Sequence, residues 1–184
     1  VAELVAYAKK NPGKLSYGSA GVGTVSFFMM ELFKLSYGVD IAHVPFSGSA
    51  PVKNAVLGGH VDLGSSGIST MAPLIKSGDL IPLVTTSPTR LAAYPNVPTM
   101  AEKGFPEASI NISVSLYVPA KTSHDVVVKL QRAVEKATKD PAVIAAIEKT
   151  GMLIDFLDSE ALQKSLDIER EAVSKVVQKV GVGK

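Results

Sequence analysis

The sequence predicts an α/β fold, a parallel-rich sheet flanked by helices. Three observations carry this. Short apolar strand patterns alternate four times with helical patterns before residue 88. The connections between them are only a few residues long. The chain is 46% hydrophobic, yet no apolar run reaches the roughly 18 residues that a membrane helix needs. A chain of 184 residues can bury a sizeable core.

Each element has its own signal. VAELVAYAKKN reads as a helix with Leu4, Val5 and Ala8 on one face, ended by Asn11-Pro12-Gly13. LSYGS is a short strand. Residues 24–36 form a helix whose apolar stripe is Phe28, Met29, Leu32, Phe33 and Leu35. VDIAHVPF is a strand that stops at Pro45. Residues 49–57 form a helix with Pro51 in its first turn, where a missing N–H costs little. Gly58-Gly59 ends it, and HVDLGSS is the next strand. A helix over 68–76 and a turn at Gly78-Asp79 lead into the strand LIPLVTTS. Beyond Ser87 the rhythm breaks into a proline-rich connection with one short helix near 99–103. INISVSLYVPA reads as a strand, helices follow at 123–139 and 141–150, MLIDF reads as a short strand, and 159–180 forms a long amphipathic helix.

Charge and composition exclude several functions. There are 19 Lys and Arg against 17 Asp and Glu, for a net charge of +2. Up to position 110 there are 8 basic and 7 acidic residues, and beyond it 11 and 10, so each part is +1. No basic cluster suits nucleic acid. Cysteine is absent, which removes disulfides, thiol nucleophiles and thiolate metal sites. The chain opens on VAELVAYAKK without an initiating Met or a signal-peptide pattern.

The segment GSAGVGT, residues 18–24, lies between a strand and a helix. In a parallel α/β sheet, ligands sit beyond the carboxyl ends of the strands. The first N–H groups of a helix lack internal partners and point outward with the positive end of its dipole. Glycines let an anion approach that backbone, so Ser19, Ala20, Gly21, Val22, Gly23 and Thr24 form a candidate anion loop. A nucleotide P-loop would place Lys where Thr24 stands, and the order GxxGxG fails the dinucleotide fingerprint GxGxxG. A carboxylate, met by N–H groups and the Ser19 and Thr24 hydroxyls, remains; so does a plain turn capped by Thr24. The next two strand ends offer the same materials just before a helix: Phe46, Ser47, Gly48 and Ser49, then Ser65, Ser66, Gly67 and Ser69. Together they outline a polar pocket without a charged side chain. Phe46 is a candidate apolar wall, and Phe27 a wall or a core residue.

Catalytic groups are sparse. No GxSxG elbow occurs, and no metal-ligand spacing joins His43, His60 and His124. All three read as structural or solvated. Asp62 reads as a buried charge or as an edge residue bonded to backbone, and Arg90 as a loop anchor or, less readily, a partner for a ligand carboxylate. No cofactor is implied, and no base stands near a nucleophile in sequence.

The runs NPGKLSYGSAGVGT, DIAHVPFSGSAP, LGGHVDLGSS and IPLVTTSPTRLAAYPNVPTMAEKGFPE closely resemble the Bug family, also called the TctC type. The later VPAKTSHDVVVKLQRAVEKATKDPAVIAAIEKTGM resembles that family's C-terminal portion. These are periplasmic solute-binding receptors of tripartite tricarboxylate transporters. The resemblance implies a type II periplasmic-binding-protein fold, capture of a small organic acid, a periplasmic location and membrane permease subunits as partners. It implies that Ser19 through Thr24, Phe46, Ser47, Ser65 and Ser66 form one wall of the cleft, and that the protein is not an enzyme. Family members often carry Asp where Ser66 stands, a Lys or other polar residue at Ser47, and a polar residue or His at Phe27. This chain's pocket is therefore less charged, pointing to an aromatic or aliphatic acid rather than a tricarboxylate or amino acid. The family also has a long segment before NPGKL. Residues 1–110 then correspond to a complete second lobe and 111–184 to the returning part of a partial first lobe. Such a remnant would need cover for its exposed edges, by homodimerisation or strand exchange. The alternatives are a ligand-sensing domain of a transcription regulator and a receptor fragment that does not function.

Overall fold

The computed structural model of the chain describes residues 1–108, 114–149, 152 and 154–180. The chain divides into two compact units, Val1–Ile112 with Glu171–Lys184, and Ser113–Arg170.

In the first unit, helix α1 (Ala2–Lys10) leads to strand β1 (Ser16–Ser19) and helix α2 (Val25–Tyr37). Strand β2 (Ala42–Pro45), helix α3 (Ser49–Leu57), strand β3 (Leu63–Gly64) and helix α4 (Ile68–Ser77) follow. The boundaries obey local chemistry. Thr24 caps α2, its hydroxyl accepting from the Phe27 N–H at 3.4 Å. Gly38 ends α2 in the left-handed region, at φ 62°, where a side chain would be strained.

The sheet is parallel, in the order β2-β1-β3. Tyr17 sits opposite His43, and Gly18 is flanked by Val44 and Gly64. Side chains alternate across a strand, so Tyr17 and Ser19 share one face and Gly18 looks to the other. Helix α2 covers the Tyr17 face, where the Tyr17 hydroxyl donates to Glu31 at 2.7 Å. Helices α3 and α4 cover the Gly18 face. A Cβ at Gly64 would lie 2.7 Å from Val56 Cγ2, so α3 approaches this closely because residue 64 lacks one.

The main core lies on the α2 face. Tyr17, Phe27, Phe28, Leu32, Phe33 and Ile41 are buried there, joined by Ala8 of α1 and by Met100, Ala108 and Val176. Each fully buried large apolar side chain of this kind contributes about 1.5–3 kcal/mol. Val52, Ala55, Val61 and Met71 are buried outside this cluster.

The structure corrects several sequence expectations. The strand over 60–66 shrinks to Leu63–Gly64. The strand over 80–87 does not form, and only Thr85 makes a parallel bridge, to Thr99. Pro82 has no N–H to give a ladder, and the Thr85 N–H and C=O bond to Pro98 and Met100 instead. The short helix near 99–103 is a 3-10 turn, Ala101–Lys103. Of the strand over 110–120, residues 110–113 lie outside the described residues. The remainder forms no strand, and Val114 and Tyr117 are 86% and 74% exposed. The strand over 152–156 is likewise absent among its described residues. A strand needs a partner, and among the described residues neither segment pairs with one.

The second unit holds helix α5 (His124–Ala137), helix α6 (Pro141–Glu148) and the first half of helix α7 (Ser159–Val180). Asp140 caps α6, accepting from the Ala142 N–H at 2.8 Å, with Pro141 at the first helical position. None of this unit's described side chains is buried. The last part of α7 belongs to the first unit, where Val176 is fully enclosed.

Candidate functional site

Parallel pairing brings the three strand ends side by side. The Phe46 N–H donates to the Ser19 carbonyl at 2.9 Å, and the Ser65 N–H to the Gly18 carbonyl at 3.0 Å. The loops over 19–24, 46–48 and 65–67 therefore leave the same edge of one sheet, each entering a helix.

The first loop is stitched by its own hydroxyls. Ser19 is fully buried. Its Oγ accepts from the Gly21 N–H at 3.2 Å and lies 2.7 Å from His43 Nε2. The Ala20 N–H donates to Ser26 Oγ at 3.0 Å, and Thr24 Oγ1 donates to the Gly21 carbonyl at 2.6 Å. Gly21 and Gly23 have φ of 126° and 80°, a region that side chains rarely adopt. Among the described residues, the Val22 and Gly23 N–H groups find no hydrogen-bond partner. The Ser19 and Thr24 hydroxyls thus shape the loop, and exposed backbone at Val22 and Gly23 is what it offers outward.

At the second strand end, Ser47 is exposed and Phe46 half-buried. The Phe46 ring lies over bare backbone, since a Cβ at Gly18 would be 3.0 Å from its Cε2. At the third, Ser65 is buried, and the buried Ser66 Oγ has no hydrogen-bond partner. An unpaired buried hydroxyl is costly, so a polar group arriving there would gain an unusually available partner. Phe27 is core: it is 3% exposed and packs against Phe28 and His43 at centroid distances of 5.3 and 4.9 Å.

Behind the loop is a polar cluster that the sequence does not announce. The His43 ring stacks on Tyr17 at 4.8 Å, and Tyr17 donates to Glu31, which pairs with Lys34 at 2.8 Å. Burial pushes the Tyr17 phenol well above its usual range, and the Glu31 carboxylate adds to this. Desolvation lowers the His43 pKa, with Glu31 opposing and Lys34 reinforcing the shift. Ser19 beside His43 has the spacing of a nucleophile and a base. The Ser19 hydroxyl, however, is already engaged by the Gly21 N–H and His43 within a fully buried residue, so the pair belongs to the scaffold.

The other singled-out residues are structural. The exposed Asp62 carboxylate accepts from the Ser16 N–H and hydroxyl, both at 2.8 Å, and pins the start of β1. Arg90 anchors the proline-rich connection, donating to Glu102 at 2.9 and 3.0 Å and to the Pro95 carbonyl at 2.8 Å. Glu102 also accepts from the Thr99 N–H at 2.9 Å, and this bond, with Arg90, lowers its pKa. His60 and His124 are exposed. Among the described residues, no three His, Asp or Glu groups gather as a metal site, and no helix is long and apolar enough to cross a membrane.

Comparison with known proteins identifies the family and the fold. Residues 1–182 match the family described as "Tripartite tricarboxylate transporter family receptor". A "UPF0065 protein in gbd 5'region" of Cupriavidus necator is 34% identical over 185 residues, 99% of this chain and 55% of that protein. The chain thus spans about half the length of this relative. A solved structure described as that of a periplasmic transporter superposes with a TM-score of 0.83 at 36% identity, covering 97% of this chain and 60% of the other. An R. palustris protein solved with adipate gives 0.79 at 26% identity, covering 98% and 60%. The α/β fold with helices on both faces of a parallel sheet is therefore that of periplasmic binding proteins, and the chain belongs to the tripartite tricarboxylate transporter receptor family.

Proposed function

We propose that this chain supplies the anion-holding wall of a periplasmic solute-binding receptor for a small carboxylate, which it passes to membrane permease subunits. The observation that carries this reading is the pair of unengaged N–H groups at Val22 and Gly23, in a loop whose own hydroxyls are already spent. A carboxylate has two oxygens to accept from such donors, and the helix dipole favours its charge. Ser66 Oγ, unpartnered on a half-buried residue, is a further hydroxyl for the ligand, with Ser47 and Phe46 at the rim and Ser65 buried behind them. Family membership and the adipate held by a relative support the ligand class. The pocket residues carry no ionised side chain, which favours an aliphatic or aromatic acid over citrate or aspartate. Residues 1–110 act as the ligand-facing lobe, joined by the last part of α7, and the stretch from 111 to that point as the returning part of the other.

Calorimetric titration of the purified chain with adipate, benzoate, citrate and aspartate tests this. Adipate or benzoate should bind more tightly than the other two. Gly23→Ala sits at φ 80° with nothing within 4 Å of the new Cβ, so it strains the loop without a clash. It should weaken binding about tenfold, the consequence of roughly 1–2 kcal/mol of strain. Citrate or aspartate binding best, or Gly23→Ala binding as wild type does, would count against the reading.

A further inference from the structure

We propose that His43 is a positioning residue for the anion loop, acting through Ser19 to hold Gly21 so that Val22 and Gly23 present their N–H groups outward. This rests on the receptor reading for its purpose, though not for its geometry.

A hydroxyl has one proton and two lone pairs. Ser19 Oγ has three neighbours: His43 Nε2 at 2.7 Å, the Gly21 N–H at 3.2 Å and the Gly21 carbonyl at 3.3 Å. The Gly21 carbonyl already takes the Thr24 hydroxyl at 2.6 Å and the Thr24 N–H at 3.3 Å. We assign His43 the tautomer with Nε2 bare, and this resolves the competition. That nitrogen draws the Ser19 proton along the shortest bond and leaves an Oγ lone pair turned to the Gly21 N–H. Without His43, the hydroxyl has only the crowded carbonyl to donate to, and its rotamer is no longer fixed.

The ring is itself held firmly. It is stacked on Tyr17 at an interplanar angle of 27° and packed against Phe27 of α2 at 56°. Tyr17 is tied to Glu31, and Glu31 to Lys34. Desolvation keeps the imidazole neutral, the form that can accept. The order that fixes residue 21 thus runs from the core face of α2 through β1 and β2 to the loop. His43 touches no ligand in this scheme.

Amide hydrogen exchange by NMR on the full, ligand-free chain tests it, comparing wild type with His43→Leu, His43→Gln and Ser19→Ala. His43→Leu should speed exchange at Gly21 about five- to tenfold, the effect of losing one ordinary hydrogen bond. His43→Gln keeps a side-chain amide within reach of Ser19 and should restore the rate to within about twofold. Loss of packing alone would leave Gln no better than Leu. Ser19→Ala, which keeps the ring stack, should match His43→Leu and decides the matter if the Leu variant does not fold. An unchanged Gly21 rate in His43→Leu or in Ser19→Ala, or equal rates in the Leu and Gln variants, would overturn the proposal. Adipate titration of the same samples separates the two ideas. Failure of wild type to bind removes the receptor reading, while the exchange rates still decide the role of His43.

Discussion

Tyr17, Glu31 and Lys34 show how single residues set this site's stability. Glu31 is 4% exposed and accepts from two donors, Tyr17 and Lys34. Tyr17→Phe removes one donor and leaves the carboxylate under-satisfied, which should cost about 1–3 kcal/mol in chemical denaturation. His43 gives a pH signature of known sign. Its folded pKa lies below the ordinary 6.5, so the unfolded chain binds the proton more readily. The stability of neutral His43 is fully present above that ordinary value and declines as pH falls through it toward the folded pKa. Between pH 8 and pH 5, wild type should therefore lose more stability than His43→Gln. Parallel denaturation curves for the two would contradict the assignment. The sequence offered no hint of this cluster. Ser19 and His43 are 24 positions apart and meet only because β1 and β2 pair in one register.

At the scale of elements, helices were more legible than strands. The spans of α3 and α7 follow directly from periodicity, Pro51, Gly58-Gly59 and the amphipathic run, because those signals are local. Strands need a partner to exist, which is why 60–66 shortened and Thr85 of the 80–87 segment bonded to Pro98 and Met100 instead. The fit of α3 on the sheet makes a prediction of its own. Gly64→Ala drives a Cβ into Val56 Cγ2 and should cost about 1–3 kcal/mol by overpacking. Val56→Ala in the same chain should recover part of that loss, since the two sites touch. A double-mutant cycle by thermal denaturation measures the coupling, and strict additivity would refute the contact.

For the whole molecule, burial is uneven between the two units. The first has a continuous core on the α2 face. The described part of the second buries no side chain, although Leu116, Val126 and Ile168 are 65%, 47% and 64% exposed. With so little apolar burial, its local stability rests on helix caps and short-range pairs such as Lys139 with Glu135. Residues of α5 and α6 should exchange their amides at least tenfold faster than those of β1 and α2, read by mass spectrometry of pulse-labelled peptides. Equal protection in both units would contradict the uneven burial.

Sequence alone determined the α/β rhythm, the helix limits, the even charge and the three glycine- and serine-bearing strand ends. All of these rest on spacing, caps and composition, which act within a few residues. Tertiary structure alone decided that the loop spends its hydroxyls on itself, that Phe27 is core, that Ser66 Oγ stands unpaired and that His43 backs Ser19. Those outcomes depend on register and packing between distant segments, and no local pattern encodes a register.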